Sequence, residues 1–347
     1  MVKKGKAKIL LTLSIGFAGA AAATYLGFPA AALIGSSLAV SFASLLNLTC
    51  TIPTGFRAVA FTIIGCTLGS SITKSFIDQA IHWPLSLFVL TIAVITILLV
   101  CSWILTKFFN QSPETAILAT SPGALAYSLS IAAEGIGDLR SIVVIQSVRV
   151  LLIIAILPFF LDTFSDQSGM LTGEMATSHM DIIEFSVIFL LSIGVGWVLE
   201  RVRLPAAYLL TGTLVSGIAH FLGFVSGRPS GEMLFVGFAI TGTIIGARFS
   251  TISKQDLRSL MKASLVVVIV STSLAAVFAK IVSIMLSLTF GQVFVAYAPG
   301  GVEAMAAMAL SLGYDPAFVA SHHLYRILLL IVLLPVFLTL TRNRCQT

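Results

Sequence analysis

The chain has 347 residues, 58% of them hydrophobic and 10% charged, whereas about a quarter of the residues of a water-soluble domain are charged. That balance excludes water as the main solvent and points to a lipid bilayer, which only helices or closed barrels can span. The net charge of +6 sits singly at segment ends, without the basic stripe of a nucleic-acid surface, so nucleic acid is excluded as a partner.

Lys3, Lys4, Lys6 and Lys8 precede an apolar stretch from Ile9 to Ala20 and then Ala21-Ala22-Ala23, which imitates a cleavable signal peptide. With this stretch (8–25), the first half holds six apolar segments, the others lying near 29–47, 56–76, 82–109, 112–133 and 140–161. They are long and continuous and lack the alternation of barrel strands, and a bilayer core takes about 20 apolar residues per helix. An all-α polytopic membrane protein is therefore predicted. Residues 162–181 carry Asp162, Asp166, Glu174 and Asp181 and read as an acidic linker. The same six-segment plan then recurs from 183 to 341.

The second half reads as a copy of the first, displaced by about 177 positions, since a fixed-offset match is the mark of internal duplication. Leu26-Gly27-Phe28-Pro29-Ala30-Ala31 answers Val202-Arg203-Leu204-Pro205-Ala206-Ala207 to within one residue. Gly65 and Gly69 fall on Gly242 and Gly246, Ser121-Pro122-Gly123 on Ala298-Pro299-Gly300, Asp138 on Asp315, Arg149 on Arg326, and Pro158 on Pro335. The first segment has a counterpart at Ile183 to Leu199, so it reads as a retained helix. The domains expected are a first transmembrane repeat (1–161), the linker (162–181) and a second repeat (182–347).

Charge predicts how the halves face. With a cytoplasmic N-terminus, and with the fifth and eleventh segments not crossing, the cytoplasmic joints hold Lys3, Lys4, Lys6, Lys8, Arg57, Lys107, Arg201, Arg203, Arg248, Lys254, Arg258, Lys262, Arg342 and Arg344, which is 14 of the 20 Lys and Arg. The acidic linker then falls outside. Lys and Arg favour cytoplasmic loops, so inverted repeats with ten full crossings and both termini inside are expected. The two segments that do not cross are broken at mid-length by Pro122-Gly123 and by Pro299-Gly300-Gly301. Pro removes a backbone donor and Gly frees the chain, so each should become two short helices whose amino ends point inward.

Arg149 and Arg326 lie inside the sixth and twelfth segments, where a cation costs several kcal/mol unless a cavity or partner receives it (roughly 3 or more). They read either as ligands of an anionic solute, together with the half-helix amino ends, or as ties to loose carbonyls at the breaks. Asp138 and Asp315 stand three helical turns earlier on the same face. Glu303, with Ala126 as its counterpart, could carry a coupling proton or sodium ion, or pair with Arg326 or Arg149. His322 and His323 precede Arg326 by four and three positions, and Gln146 takes the place of His323. They read as a proton relay or as a polar network that orients Arg326. The four cysteines, Cys50, Cys66, Cys101 and Cys345, form no CxxC and stand near no His at ligand spacing, so no disulfide, metal or other cofactor is expected. Gly65 and Gly69, with the alanine runs 18–23 and 304–309, read as close-packing surfaces.

Two motifs, Ala298-Pro299-Gly300-Gly301-Val302-Glu303-Ala304-Met305 and Ser321-His322-His323-Leu324-Tyr325-Arg326, resemble a bacterial membrane family called AbrB, also labelled ammonia monooxygenase and known for a duplicated domain. The likeness runs over nearly the whole chain. It implies an inner-membrane location and a regulatory label, without implying a reaction. The residues speak against both inherited names: there is no His and carboxylate set or Gly-rich dinucleotide loop for an oxygenase, and no joint is long enough to fold a DNA-binding module.

The expectation is a secondary transporter, not an enzyme, for a small anionic solute coupled to a proton or sodium ion. Arg149, Arg326, Pro122, Gly123, Pro299, Gly300 and Gly301 would bind the solute, while Glu303, His322, His323, Gln146, Asp138 and Asp315 would serve coupling or relay. The partners expected are the bilayer and the solute, with a homo-oligomer left open. The alternative is a membrane-bound regulator or sensor of gene expression acting through a partner, as the family name implies.

Overall fold

The computed structural model describes residues 2–71, 83–164, 179–202, 204 and 206–344. Most of the acidic linker, the joint between 71 and 83, Arg203, Pro205 and Cys345 lie outside the described residues. So do the side chains of Lys3, Lys4, Ala126, Asp162, Arg342 and Arg344.

Among the described residues there are fourteen α-helices. In the first half they are α1 (Val2–Tyr25), α2 (Ala31–Leu45), α3 (Thr54–Gly69), α4 (Trp83–Phe109), α5 (Pro113–Thr120), α6 (Leu125–Ala133) and α7 (Leu139–Phe164). In the second they are α8 (Ile182–Arg201), α9 (Ala207–Phe221), α10 (Gly231–Ala247), α11 (Lys254–Leu286), α12 (Phe290–Tyr297), α13 (Val302–Ser311) and α14 (Pro316–Arg344). Seven stretches are long and apolar enough to cross a membrane: Lys6–Tyr25, Trp83–Phe109, Leu139–Leu161, Ile182–Arg201, Gly231–Thr251, Lys254–Leu286 and Pro316–Thr341. The chain is a multi-pass membrane protein.

Three of the ten expected crossings are shorter than the sequence suggested. α2, α3 and α9 have 15, 16 and 15 residues, a rise of roughly 22–24 Å against a hydrocarbon core of about 30 Å. Left-handed residues bound two of them. α2 starts after Ala30 (φ 51) and ends before Asn47 (φ 69), and α9 starts after Ala206 (φ 53) and ends before Gly223 (φ 73).

The chain divides into two compact units. The first comprises Met1–Ile81, Ile154–Ser250 and Glu303–Ala320. Here α1 packs on α2, α2 on α10, α3 on α9, and α9 on α8. Glycine lets backbones touch at the two central crossings. A Cβ at Gly242 would stand 2.4 Å from the Leu33 carbonyl oxygen, and one at Gly65 would stand 2.4 Å from that of Leu209.

The same contacts set helix direction. Gly242 meets Leu33 and Ser36, and Gly246, one turn on, meets Ser37, Val40 and Ser41, so α2 and α10 run the same way. α3 and α9 also run together, with Gly65 on Leu209 and Gly212 and Gly69 on Thr213, Ser216 and Gly217. After α2 the chain stays at that helix's carboxyl end. There the Cys50 amide donates to Ser250 Oγ (3.0 Å), Ser250 Oγ to Ser44 Oγ (2.9 Å), and the Thr51 amide to Thr12 Oγ1 (3.1 Å). Since α3 starts at Thr54, α2 and α3 are antiparallel, and α9 therefore points opposite to α2.

The second unit comprises His82–Ile153, Thr251–Val302 and Ser321–Thr347. α4 packs on α5 and α11, and α12 packs on α11. Both expected breaks are present. α5 stops at Thr120 and α6 starts at Leu125, with Gly123 between them at φ 80, and α12 stops at Tyr297, before Pro299.

Candidate functional site

The breaks leave carbonyls at the ends of α5 and α12 without a next turn to bond them, and the two intramembrane arginines take them up. Arg149, fully buried, donates from Nη1 to the Thr120 carbonyl (3.1 Å) and from Nη2 to that of Ser121 (3.0 Å). Arg326, 1% exposed, donates from Nη1 to the Ala298 carbonyl (2.7 Å), and from Nη2 to the Gly300 carbonyl and to His323 Nδ1 (both 2.6 Å). Of the two roles read from the sequence, the tie to loose carbonyls is thus directly visible. The fork still leaves a donor over, because Nε of both arginines is buried without a hydrogen-bond partner among the described residues.

The breaks also approach each other. A Cβ on Gly123 would stand 2.9 Å from Arg326 Nη2 and 3.3 Å from the Gly300 carbonyl oxygen, and the charge of Arg149 acts on Arg326. A helix carboxyl end carries roughly half a negative charge, so each capped guanidinium keeps about half of its own. The start of α6 adds a positive end of similar size. Pro122, Gly123, Pro299, Gly300 and Gly301 belong to this meeting of backbone turns, in which Arg149 and Arg326 bond to carbonyls and, for Arg326, to His323, with no carboxylate partner among the described residues.

Gln146 and His323 do the same work in the two halves. Gln146 Nε2 donates to the Leu118 carbonyl (2.7 Å), and His323 Nε2 stands 2.9 Å from the Val295 carbonyl oxygen. Because Arg326 can only donate, His323 Nδ1 accepts and the proton sits on Nε2, so this ring is held neutral. His322 lies apart from the carbonyl caps. Its Nε2 is 2.8 Å from Ser86 Oγ, which is 3.3 Å from Tyr297 Oη, and the Trp83 ring packs 6.2 Å away. Ser86, Tyr297 and Trp83 were not found from the sequence. Tyr297 directly precedes the Ala298-Pro299 break, which is the signal that could have singled it out.

The acidic candidates are placed elsewhere. Glu303 pairs with Arg57 (3.5 Å), whose guanidinium also lies 5.1 Å from the Phe61 ring centroid. Asp138 and Asp315 cap helices. Asp138 accepts from the Ser141 amide (3.1 Å) and Ser141 Oγ (2.6 Å), and Asp315 accepts from the amides of Ala317 (2.9 Å) and Phe318 (3.2 Å). Burial alone would raise the Asp138 carboxyl, but the bonds from Ser141 and Arg140 and the charge of Arg140 outweigh it and hold it below the ordinary carboxylate range. A depressed folded value contributes stability above the unfolded value, and that contribution is lost as pH falls through the folded one. Asp138→Ala is expected to cost about 1 kcal/mol at neutral pH, a gap that closes in acid. Thermal unfolding in detergent across pH checks both.

Residues 32–342 match the family described as transition state regulatory protein AbrB. The chain belongs to the AbrB family. Two relatives are "Putative regulator AbrB" of Escherichia coli (strain K12), 24% identical over 91% of this chain and 90% of its own length, and "Uncharacterized protein YhjN" of Bacillus subtilis (strain 168), 27% identical over 82% and 78%. No solved structure matches this AbrB chain.

Proposed function

We propose that this AbrB protein is a secondary transporter of a small anionic solute, built from two inverted repeats of the bacterial inner membrane, with both termini cytoplasmic. The observation that carries the reading is the meeting of two broken helices around Arg149 and Arg326. These two buried cations bond to carbonyls and each keep an unpaired Nε–H. Intramembrane charges are expensive and mark solute pathways, and half-helix ends at such breaks hold ionic groups in transporters. An anion would complete the charge and take the Nε donors. Pro122, Gly123 and Pro299 to Gly301 let the backbone approach it, and a proton or sodium ion would supply the coupling.

Duplication is supported by like positions doing like work: Ala30 and Ala206 both precede a helix in the left-handed conformation, and Arg149 and Arg326 both cap a break. Inversion is supported by the opposed directions of α2 and α9, the second helix of each half. The domains are then 1–161 and 182–347, joined by an external linker. The rival reading, a regulator acting through a partner, rests on the name of the Escherichia coli relative.

The test is flux. Proteoliposomes are expected to take up at least one of labelled chloride, sulfate or phosphate saturably, and a variant carrying both Arg149→Gln and Arg326→Gln should lose that uptake. Failure of all three anions, or a correctly inserted double variant as fast as the natural protein, would sink the proposal.

A further inference from the structure

We infer that the anion travels with a proton and that His322 takes it, through a switchable bond with Ser86 and Tyr297; this rests on the transport reading above. His322 and Ser86 are fully buried and Tyr297 is 2% exposed. Tyr297 Oη–H donates to the Ser86 backbone carbonyl (2.5 Å), which leaves its oxygen lone pairs facing Ser86 Oγ. The Ser86 hydroxyl can therefore point either way. When His322 Nε2 is unprotonated, Ser86 Oγ–H donates to it. When a proton from water binds Nε2, that N–H donates to Ser86 Oγ, and the hydroxyl hydrogen turns to Tyr297 Oη. Neither state strands the Ser86 hydroxyl or Nε2, although a buried group left unpaired would cost about 1–3 kcal/mol. His323 has no such freedom, because a proton added at Nδ1 would face the Arg326 N–H groups.

The cluster occurs in one half only. At the offset that pairs Arg149 with Arg326, the positions of Trp83, Ser86, Tyr297 and His322 answer to Leu260, Ala263, Thr120 and Ile145. The first half holds its break with Arg149, Gln146 and a Ser121–Ser128 hydroxyl pair, so the cap does not require a histidine, serine and tyrosine chain. Among the described residues, the ionisable groups around His322 include Tyr297 on α12, His323 and Arg326 on α14, and, through Arg326, Arg149 on α7 with Cys101 of α4 beside it. A proton on His322 adds a third cation to two that are fixed. It is repelled when the site is empty and welcomed when an anion is present, so the two ligands favour each other's binding reciprocally.

The experiment clamps the membrane potential at zero and imposes an acid-outside gradient on proteoliposomes with the anion that exchanges best among chloride, sulfate and phosphate. One proton per anion predicts about tenfold accumulation for a gradient of roughly one pH unit. His322→Gln keeps a partner for Ser86 but cannot titrate in this range, and its accumulation ratio should fall to about one. That ratio is independent of turnover, so a slow variant still answers. If His322→Gln exchanges no label, Ser86→Ala takes its place with the same expectation, and the gradient applied to the natural protein decides in either case. Exchange without acid-driven accumulation, accumulation driven by sodium instead, or a His322→Gln ratio equal to the natural one would overturn the inference and leave the transport reading standing. If the natural protein exchanges none of the three anions, both fall.

Discussion

A single methyl group added at Gly242 is expected to lower the melting temperature by several degrees and to reduce the yield of inserted protein. Its Cβ would lie 2.0 Å from Ser36 Oγ and 2.4 Å from the Leu33 carbonyl oxygen. The hydroxyl can rotate aside, but the carbonyl belongs to α2 and moves only with the helix. Overpacking a core costs about 1–3 kcal/mol when side chains give way, so a clash with backbone should reach the top of that range or pass it. Gly65→Ala should behave alike, since the atoms nearest its Cβ would be backbone, the Leu209 carbonyl oxygen at 2.4 Å and Gly212 Cα at 3.0 Å. The control is Gly194→Ala in α8, which has nothing within 4 Å and should gain up to about 1 kcal/mol from helix propensity. Thermal unfolding in detergent reads all three, and a Gly242→Ala protein as stable as the natural one would mean that the crossing is looser than described.

The second large effect is expected at Arg326. Arg326→Lys keeps the charge, so the cost of burying a cation remains while the planar fork is lost. One ammonium cannot serve the Ala298 and Gly300 carbonyls and His323 Nδ1 in the directions that Nη1 and Nη2 do. Losing one or two charged hydrogen bonds costs about 1.5–3 kcal/mol each, and a total of roughly 2–4 is expected. Arg149→Lys should cost less, because its carbonyl bonds are longer, at 3.0 and 3.1 Å. Equal melting points for Arg326→Lys and the natural protein would remove the guanidinium fork as the clasp of the break.

Much of this was legible in advance. Apolar continuity identified membrane helices, and the Pro-Gly sites located both breaks to within a turn. Arg149 and Arg326, which the offset aligns, each bond carbonyls at a helix break. Less legible were partners brought together by folding. Glu303 lies far along the chain from Arg57, and nothing in either neighbourhood announces the pair. Ser86 is one hydroxyl in an apolar run, and its meeting with His322 depends on how α4 packs. The caps at Asp138 and Asp315 are a simpler role than relay and are legible in the sequence, because each Asp stands just before a helix and Pro316 suits a first turn. α2 and α9 are shorter than their apolar runs because those runs continue past turns that positive-φ residues impose.

The glycine crossings bear on how the protein is made. The face of α3 that carries its closest backbone contacts is covered by α9, which leaves the ribosome much later. At roughly 5–20 residues per second, Leu209 follows Gly65 by on the order of ten seconds. During that interval α3 waits in the bilayer with its tightest surface unoccupied, while α2 already packs on α1 through Gly19 and Gly35. Agents that intercept bare small-residue helix faces are expected to act on α3 then and not on the finished protein.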